Sequence, residues 1–416
     1  MFKNKITAMN ILTEGMTPVI KKHIEGVNYA SSLISGMVWF ETGEGTVVID
    51  TLINISSAEK VLNSIHGKIK YIIYTHGHAD HVGGAKVFMR DNPEVISSKY
   101  LPDRFNRYKI MEPYRNLITA MQFNIPEDIF GKGLKHYVYP TKTFLGDYSF
   151  KLGKFTFELH TGRGETDDAV WVYIPELKTA VIGDFMTGPW FPNVGNPWKP
   201  TRFALDWVKE LERIRNLQPD NIFCSGGGYL YKGKEGLKAL DDNIEVIQTL
   251  HDQVVKYINE GMHITEMIHA VKIPEHLNTS PYLKQVYSRP EFFVYNVYRW
   301  YHGYYDHNPA HLIPRPEREV MKEIYNIIGD KIKIISRVKN LIEQEQYQLA
   351  LQILDIILQS EPEDIEALKL RIELVKNLSQ NDFCVMSKNA YYYSIREDKR
   401  TINRIKRKFR QQKNYS

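Results

Sequence analysis

Cysteine is scarce in this 416-residue chain: only Cys224 and Cys384 occur, too few for a disulfide framework. Long apolar runs are missing too. No hydrophobic stretch approaches the ~20 residues that a membrane-spanning helix needs. The segment Met1 to Gly15 has no sustained apolar core and no small-residue cleavage site, so no secretory leader is expected, and a cytoplasmic location is the default. Acids are absent from the last eighteen positions, Lys399 to Ser416, which carry eight basic residues. That tail alone makes the formal charge +5; the rest of the chain sums to −3, so no basic nucleic-acid-binding body is expected. The tail itself is read as solvated and disordered.

What remains is ordinary for a globular protein. Hydrophobic residues make up 43% and charged residues 25%, and the length allows two or three domains with a large core. One stretch stands apart, Thr75-His-Gly-His-Ala-Asp-His-Val-Gly-Gly84, directly after the apolar run Ile69 to Tyr74. That run reads as a buried strand. His76, His78, Asp80 and His81 are therefore packed into the turn leaving a strand, where Gly77, Gly83 and Gly84 let the backbone bend. Imidazoles and a carboxylate suit a borderline ion such as zinc. A polar loop with incidental histidines is the alternative, and four coordinating residues within six positions argue against it.

The spacing H-x-H-x-D-H followed by Gly-Gly resembles the signature of the metallo-β-lactamase superfamily. The resemblance implies an α/β fold, a four-layer αββα sandwich with one or two zinc ions at the edge between its sheets. It names a scaffold and leaves the substrate open.

Local patterns fit that plan. Ser32 to Asp50 reads as a hairpin turning at Gly43-Glu-Gly45. Asp50 is either a hydrogen-bond acceptor for the metal turn or a solvated turn residue. Ser56 to Glu59 resembles a capping box opening a helix that ends near Gly67. One strand near Val95 and one helix from Arg107 to Met121 follow, with His136 taken as a surface histidine. Two hairpins come next, Tyr148 to Leu159 and Ala169 to Gly183, and then a helix over Leu205 to Leu217. Beyond Gly233 helical periodicity dominates, so a domain boundary is set near 240. Residues 1–240 form the metal domain, 241–398 an all-α domain and 399–416 the tail. Gln346 to Asn377 reads as one helical hairpin resembling a tetratricopeptide unit, which must pack on its own domain.

The superfamily's second ligand cluster usually contains histidine after a later strand. Here the stretch Leu159-His-Thr-Gly-Arg-Gly-Glu-Thr166 puts Glu165 there, which resembles the alkyl sulfatase family. That resemblance implies a bridging acid at the end of the next hairpin, which is Asp184. His160 competes as a ligand and is read as a core histidine. Leu250 to Met262, Pro281-Tyr-Leu283 and the aromatic run Tyr298 to Pro309 resemble the family's dimerisation domain, which implies a homodimer.

Three departures accompany the resemblance. Gly227 stands where the last histidine ligand belongs, which weakens the second metal site; Tyr229 and Cys224 are the only nearby substitutes. The family's sulfate pocket pairs an asparagine with an arginine five residues later; Asn193 is present, position 198 is Trp, and Lys199 and Arg202 are candidates for the missing charge. No counterpart of the family's sterol-carrier-like domain follows the helical segment, so long-chain surfactant sulfates are not the expected substrate. The implied ligand sets are His76, His78 and Glu165 for one ion and Asp80, His81 and Asp184 for the other. Asp80 would orient the water that attacks a small-molecule ester, a sulfate ester or related oxyester. The rival reading is a degenerate scaffold kept for binding or assembly.

Overall fold

The computed structural model describes residues 17–413 except Glu25, Leu33 and residues 126–136. The expectations for Met1 to Gly15, His136 and the last three residues therefore lie outside the described residues. The chain forms two compact units, one ending at His302 and one beginning at Gly303.

The first unit is built on two sheets. Seven strands lie side by side in chain order: β1 (Val19–Ile24), β2 (Val27–Ser31), β3 (Gly36–Glu41), β4 (Thr46–Ile49), β5 (Ile69–Ile73), β6 (Glu94–Ser98) and β7 (Lys142–Phe144). The first four are antiparallel and β4 to β7 run parallel. The second sheet holds β8 (Asp147–Leu152), β9 (Phe155–Gly162), β10 (Ala169–Ile174), β11 (Thr179–Val181), β12 (Asn221–Cys224) and β13 (Tyr229–Lys232). It is antiparallel except where β11 meets β12.

Central strands such as β3 and β10 are apolar on both faces because both faces are covered. Val38 and Phe40 of β3 turn inward onto Phe155, Phe157 and Val172 of the second sheet. Met37 and Trp39 turn outward onto α1 (Ile55–Leu62), the 3₁₀ turn Ala85–Asp91 and α3 (Leu101–Ile110). The outer face of the second sheet, including Trp171 and Ile182, packs on α5 (Ala204–Asn216), α6 (Gly233–Asn259), α7 (Ile264–Ala270), α8 (Glu275–Asn278) and α9 (Pro290–Tyr301). These are the four αββα layers. Among the described residues the first unit also contains α2 (Ala79–Val82) and α4 (Glu112–Phe123).

Several expectations need correction. The first helix is capped by Asn54, whose side chain accepts from Ser57 N–H, so the Ser56 capping box does not form, and the helix ends at Leu62. The single helix expected over Arg107 to Met121 is two, α3 and α4, divided at Met111 because Pro113 starts a new first turn. The compact units divide at His302, whereas residue 240, where the boundary is expected, lies within α6. The reason is the stripe Ala239, Leu240, Val246, Ile247, Leu250 and Val254 of α6, which is buried in the core of the second sheet.

The second unit contains α10 (Pro309–Leu312), α11 (Glu317–Ile328), α12 (Lys331–Glu343), α13 (Tyr347–Ser360), α14 (Ile365–Asn381) and α15 (Val385–Lys413). The expected helical hairpin is α13 and α14, with Ala350 and Ala367 fully buried at its crossing. The tail read as disordered is helical as far as Lys413. Counting charges misses that Ile402 and Ile405 sit on one face of α15 and join the core of α12, α13 and α14. Arg404 also pairs with Glu363 at 2.8 Å. Ile402→Ala should therefore destabilise this unit by about 2–4 kcal/mol. Urea titration followed by circular dichroism checks it, and a change under about 0.5 kcal/mol would mean that the helix end is unpacked.

Candidate metal centre

The centre is assembled where strands of both sheets end. His76, His78, Asp80 and His81 follow β5, Glu165 lies between β9 and β10, and Asp184 follows β11. Backbone bonds fix these ends together: Val170 N–H donates to Thr75 O at 2.7 Å, Ser225 N–H to Gly183 O at 3.0 Å, and Thr51 N–H to His81 O at 2.7 Å. The glycines after His81 serve close approach more than bending. A Cβ on Gly83 would lie 1.9 Å from Ile53 O, and one on Gly84 2.2 Å from Thr51 O.

Two groups of ligand atoms result. His76, His78, Glu165 and Asp184 each offer one atom, all within 4.8 Å of one another, and Asp80, His81 and Asp184 form a second such group. Glu165 Oε2 lies 3.3 Å from His78 Nδ1 and 3.7 Å from His76 Nε2. His81 Nε2 lies 3.4 Å from Asp184 Oδ1 and 3.5 Å from Asp80 Oδ2. All six residues expected as ligands are thus brought together, and Asp184 belongs to both groups.

The donor set fits a cation. His81 Nε2, Glu165 Oε2 and Asp184 Oδ1 are buried and make no aligned hydrogen bond among the described residues. Orphaned buried polar atoms are costly, and here three converge on one small volume. His76 and Glu165 are in the protonation states that a ligand needs. Burial, with His81 and His78 beside it, holds His76 well below its ordinary value, leaving a neutral imidazole. Glu165 stays ionised despite burial because Arg202, His78 and His76 pull it down. Burial pushes Asp184 up to about 7 against the pull of His81. His81 goes the other way: burial opposes its charge, yet Asp184, Asp80 and Asp50 raise it well above the usual histidine range.

Asp50 settles as an acceptor for the metal turn. It is fully buried and takes Thr75 N–H at 2.8 Å and Thr75 Oγ1–H at 2.8 Å. His81 Nδ1–H donates to its Oδ2 at 2.8 Å, which aims Nε2 at Asp80 and Asp184. Sequence reasoning missed Asp168 and Arg104. Asp168, fully buried, accepts from Gly77 N–H at 2.9 Å and pairs with Arg104 Nε at 2.7 Å, so α3 clamps the turn between His76 and His78. The acidic pair Asp167-Asp168 just after Glu165 was the one sequence signal for it.

The remaining candidates divide. His160 stays outside the cluster, stacked on Trp171 at 4.0 Å and bonded to Asp147 at 2.8 Å. Cys224 is buried with its thiol pushed up to about 12 by burial, and neither it nor Tyr229 joins a ligand group. Gly227 has φ 71°, a left-handed backbone; it is Gly226 whose added Cβ would approach Asp184 Oδ1, at 2.8 Å. Neither position supplies a ligand atom. Asn193 and Arg202 are buried and turned onto Glu165 Oε1, Asn193 Nδ2 at 2.7 Å. Lys199 is half-buried and makes no side-chain hydrogen bond or ion pair among the described residues. Burial, with Arg202 and Arg115 nearby, lowers it to about 8. The open side of the centre carries Asp80 and His78, whose side chains keep 29% and 20% exposure.

Comparison with known proteins follows this geometry. Residues 34–226 match the metallo-beta-lactamase superfamily and residues 263–400 the family described as alkyl sulfatase dimerisation. The chain is 24% identical over 385 residues to a linear primary-alkylsulfatase of Pseudomonas sp., covering 86% of this chain and 72% of that protein. It is 23% identical to an (R)-specific secondary-alkylsulfatase of Pseudomonas sp., covering 86% of this chain and 59% of the relative. The solved structure of the stereoselective inverting sec-alkylsulfatase Pisa1 from Pseudomonas sp. superposes with a TM-score of 0.79 at 19% identity, over 92% of this chain and 66% of that one. This chain therefore spans about three-fifths to three-quarters of the length of these relatives. The matched segments thus place a metallo-beta-lactamase-like region ahead of a region similar to the alkyl sulfatase dimerisation family.

Proposed function

We propose that the protein hydrolyses a sulfate ester or a related anionic oxyester of a small molecule, using zinc held by the two ligand groups. The observation that carries this reading is the pair of groups sharing Asp184, with three buried ligand atoms that lack hydrogen bonds. His76, His78, Glu165 and Asp184 would hold the tighter ion. Asp80, His81 and Asp184 would hold a weaker one, since the turn at Gly226 and Gly227 adds no ligand. When bound, zinc supplies Lewis-acid charge and lowers the pKa of water from about 15.7 toward roughly 7.

The chain's own residues then do the rest. Asp80, ionised and on the open side, orients the attacking water and accepts its proton. Lys199, which has no side-chain partner among the described residues, would neutralise the ester's anionic group, because Arg202 and Asn193 are engaged with Glu165. Addition of water releases an alcohol and inorganic sulfate. Zinc content of the purified protein should fall between one and two equivalents. Asp80→Asn should retain zinc and lower kcat on a short alkyl sulfate by about 10²–10⁴-fold. Full turnover in that variant would remove Asp80 from the mechanism, and wild-type protein without zinc would remove the reading altogether.

Lys199→Ala should cut kcat/KM for the anionic ester by about ten- to a hundredfold, the worth of one charge-assisted hydrogen bond, while Lys199→Arg stays within a fewfold. Equal loss on a neutral ester of the same alcohol would assign Lys199 a structural role instead.

The partner we propose is a second copy of the chain. In the second unit Ile313, Ile327 and Ile332 are 88%, 83% and 76% exposed, within the segment that matches the dimerisation family. Such apolar side chains at helix surfaces are what a subunit interface covers. Light scattering should give twice the 48.6 kDa chain mass, and Ile327→Glu should shift it toward the monomer. An unchanged mass would exclude this face.

A further inference from the structure

Arg202 lies outside both ligand groups, yet only 3% of its side chain is exposed. Its Nη1 donates to Glu165 Oε1 and to the carbonyl of Asn193. The same carboxylate oxygen accepts from Asn193 Nδ2 at 2.7 Å. The other oxygen, Oε2, faces His78 at 3.3 Å and His76 at 3.7 Å and is the one left without an aligned hydrogen bond. One oxygen of Glu165 is taken by Arg202 and Asn193; the other belongs to the cation seat.

Arg202 is itself gripped through its backbone. Its N–H donates to Asn296 Oδ1 at 2.7 Å, and Asn296 Nδ2 donates to its carbonyl at 3.0 Å. Asn296 is a buried residue of α9, inside the segment that matches the dimerisation family. Nearby, Ser288 Oγ–H donates to Gly195 O at 2.9 Å, so the segment carrying Asn193 is tied to the same helical layer. A buried arginine is expensive to desolvate unless a buried acid answers it, and Glu165 is that acid.

We propose that Arg202, held in place by Asn296, is a positioning residue that cancels the charge of Glu165. Of the seat formed by His76, His78, Glu165 and Asp184, only Asp184 then has a carboxylate charge with no arginine or lysine set against it among the described residues, and Glu165 presents a single oxygen. This rests on the metal-centre reading above. It also accounts for Arg202 being turned away from substrate: its Nη1, its backbone donor and its backbone acceptor are engaged within the protein.

The consequence is a sign that ordinary structural damage does not produce. At a separation of about 6 Å a unit positive charge opposes a divalent ion by about tenfold in affinity even at the dielectric constant of water, about 80, and by more in a less polar site. Removing the charge while keeping an N–H donor should therefore tighten zinc binding. The test is a competition titration of metal-stripped, full-length protein with a chromophoric zinc chelator at pH 8.5, with thermal melts run alongside. Arg202→Gln should bind the first zinc about tenfold tighter than wild type, and Arg202→Lys should stay within about threefold. Metal-free Arg202→Gln should melt below wild type, and zinc should restore most of the difference. Unchanged or weaker zinc binding in Arg202→Gln overturns the proposal. Should that variant fail to fold, Asn296→Ala decides: tighter binding sustains the proposal and unchanged or weaker binding overturns it. Wild-type protein that takes up no zinc overturns the underlying metal centre as well, so the two failures are told apart.

Discussion

The structure around this centre depends on one electrostatic constraint, the concentration of Asp50, Asp80, Glu165 and Asp184 around three imidazoles at the edge of two sheets. Carboxylates withdrawn from water must be answered individually or they protonate. Asp50 is answered by Thr75 and His81. Glu165 has Arg202 and Asn193 on one oxygen. Asp80 keeps contact with solvent. Asp184 faces the imidazoles of His81 at 3.4 Å and His76 at 4.0 Å, and burial drives its carboxyl up to about 7. The demand for a cation therefore concentrates on the residue that both ligand groups share.

Holding that charge together requires a frame that does not yield. The contributing segments span Asp50 to Asp184, and the sheets bring them into register. β4 delivers Asp50 beside the end of β5, and β10 and β11 carry Glu165 and Asp184 up to the same edge. The backbone bond from Val170 to Thr75 ties the second sheet to the histidine turn. Asp168 and Arg104 then lock that turn from the helical side. The positions of the ligands follow from strand ends packed on both faces, where movement would break the core between the sheets.

The local parts of this arrangement could be read from the chain, and the distant parts could not. His76, His78, Asp80 and His81 are a contiguous pattern whose chemistry is explicit. Glu165 and Asp184 emerge only through a family resemblance, since a lone acid after a glycine has many meanings. Asn193 and Arg202 were recognised as site residues with their target misassigned: an arginine near a metal motif gives no sign of whether it answers substrate or the protein's own acid. Arg104 and Asn296 were invisible, and Asp168 was marked only by its acidic neighbour, because each acts through a partner dozens of residues away. The end of α15 was misread for a different reason. Eight basic residues outweigh two isoleucines in any composition count, yet the isoleucines decide the packing.

The Gly226-Gly-Gly228 turn shows why the ligand groups are unequal. A Cβ on Gly36, at the start of β3, would meet Gly228 Cα at 2.5 Å, and one on Gly228 would meet Ser31 Cβ at 2.4 Å. The turn is thus packed backbone to backbone against the first sheet. A side chain at 226 would enter the space of Asp184 Oδ1, and position 227 has the left-handed backbone that a β-carbon resists. A side chain at this turn would therefore crowd Asp184 at position 226 or strain the backbone at position 227. With the turn committed to packing, the group of Asp80, His81 and Asp184 relies on the charge of two carboxylates where a third kind of ligand would otherwise stand, and its hold on a cation rests on electrostatics more than on ligand number.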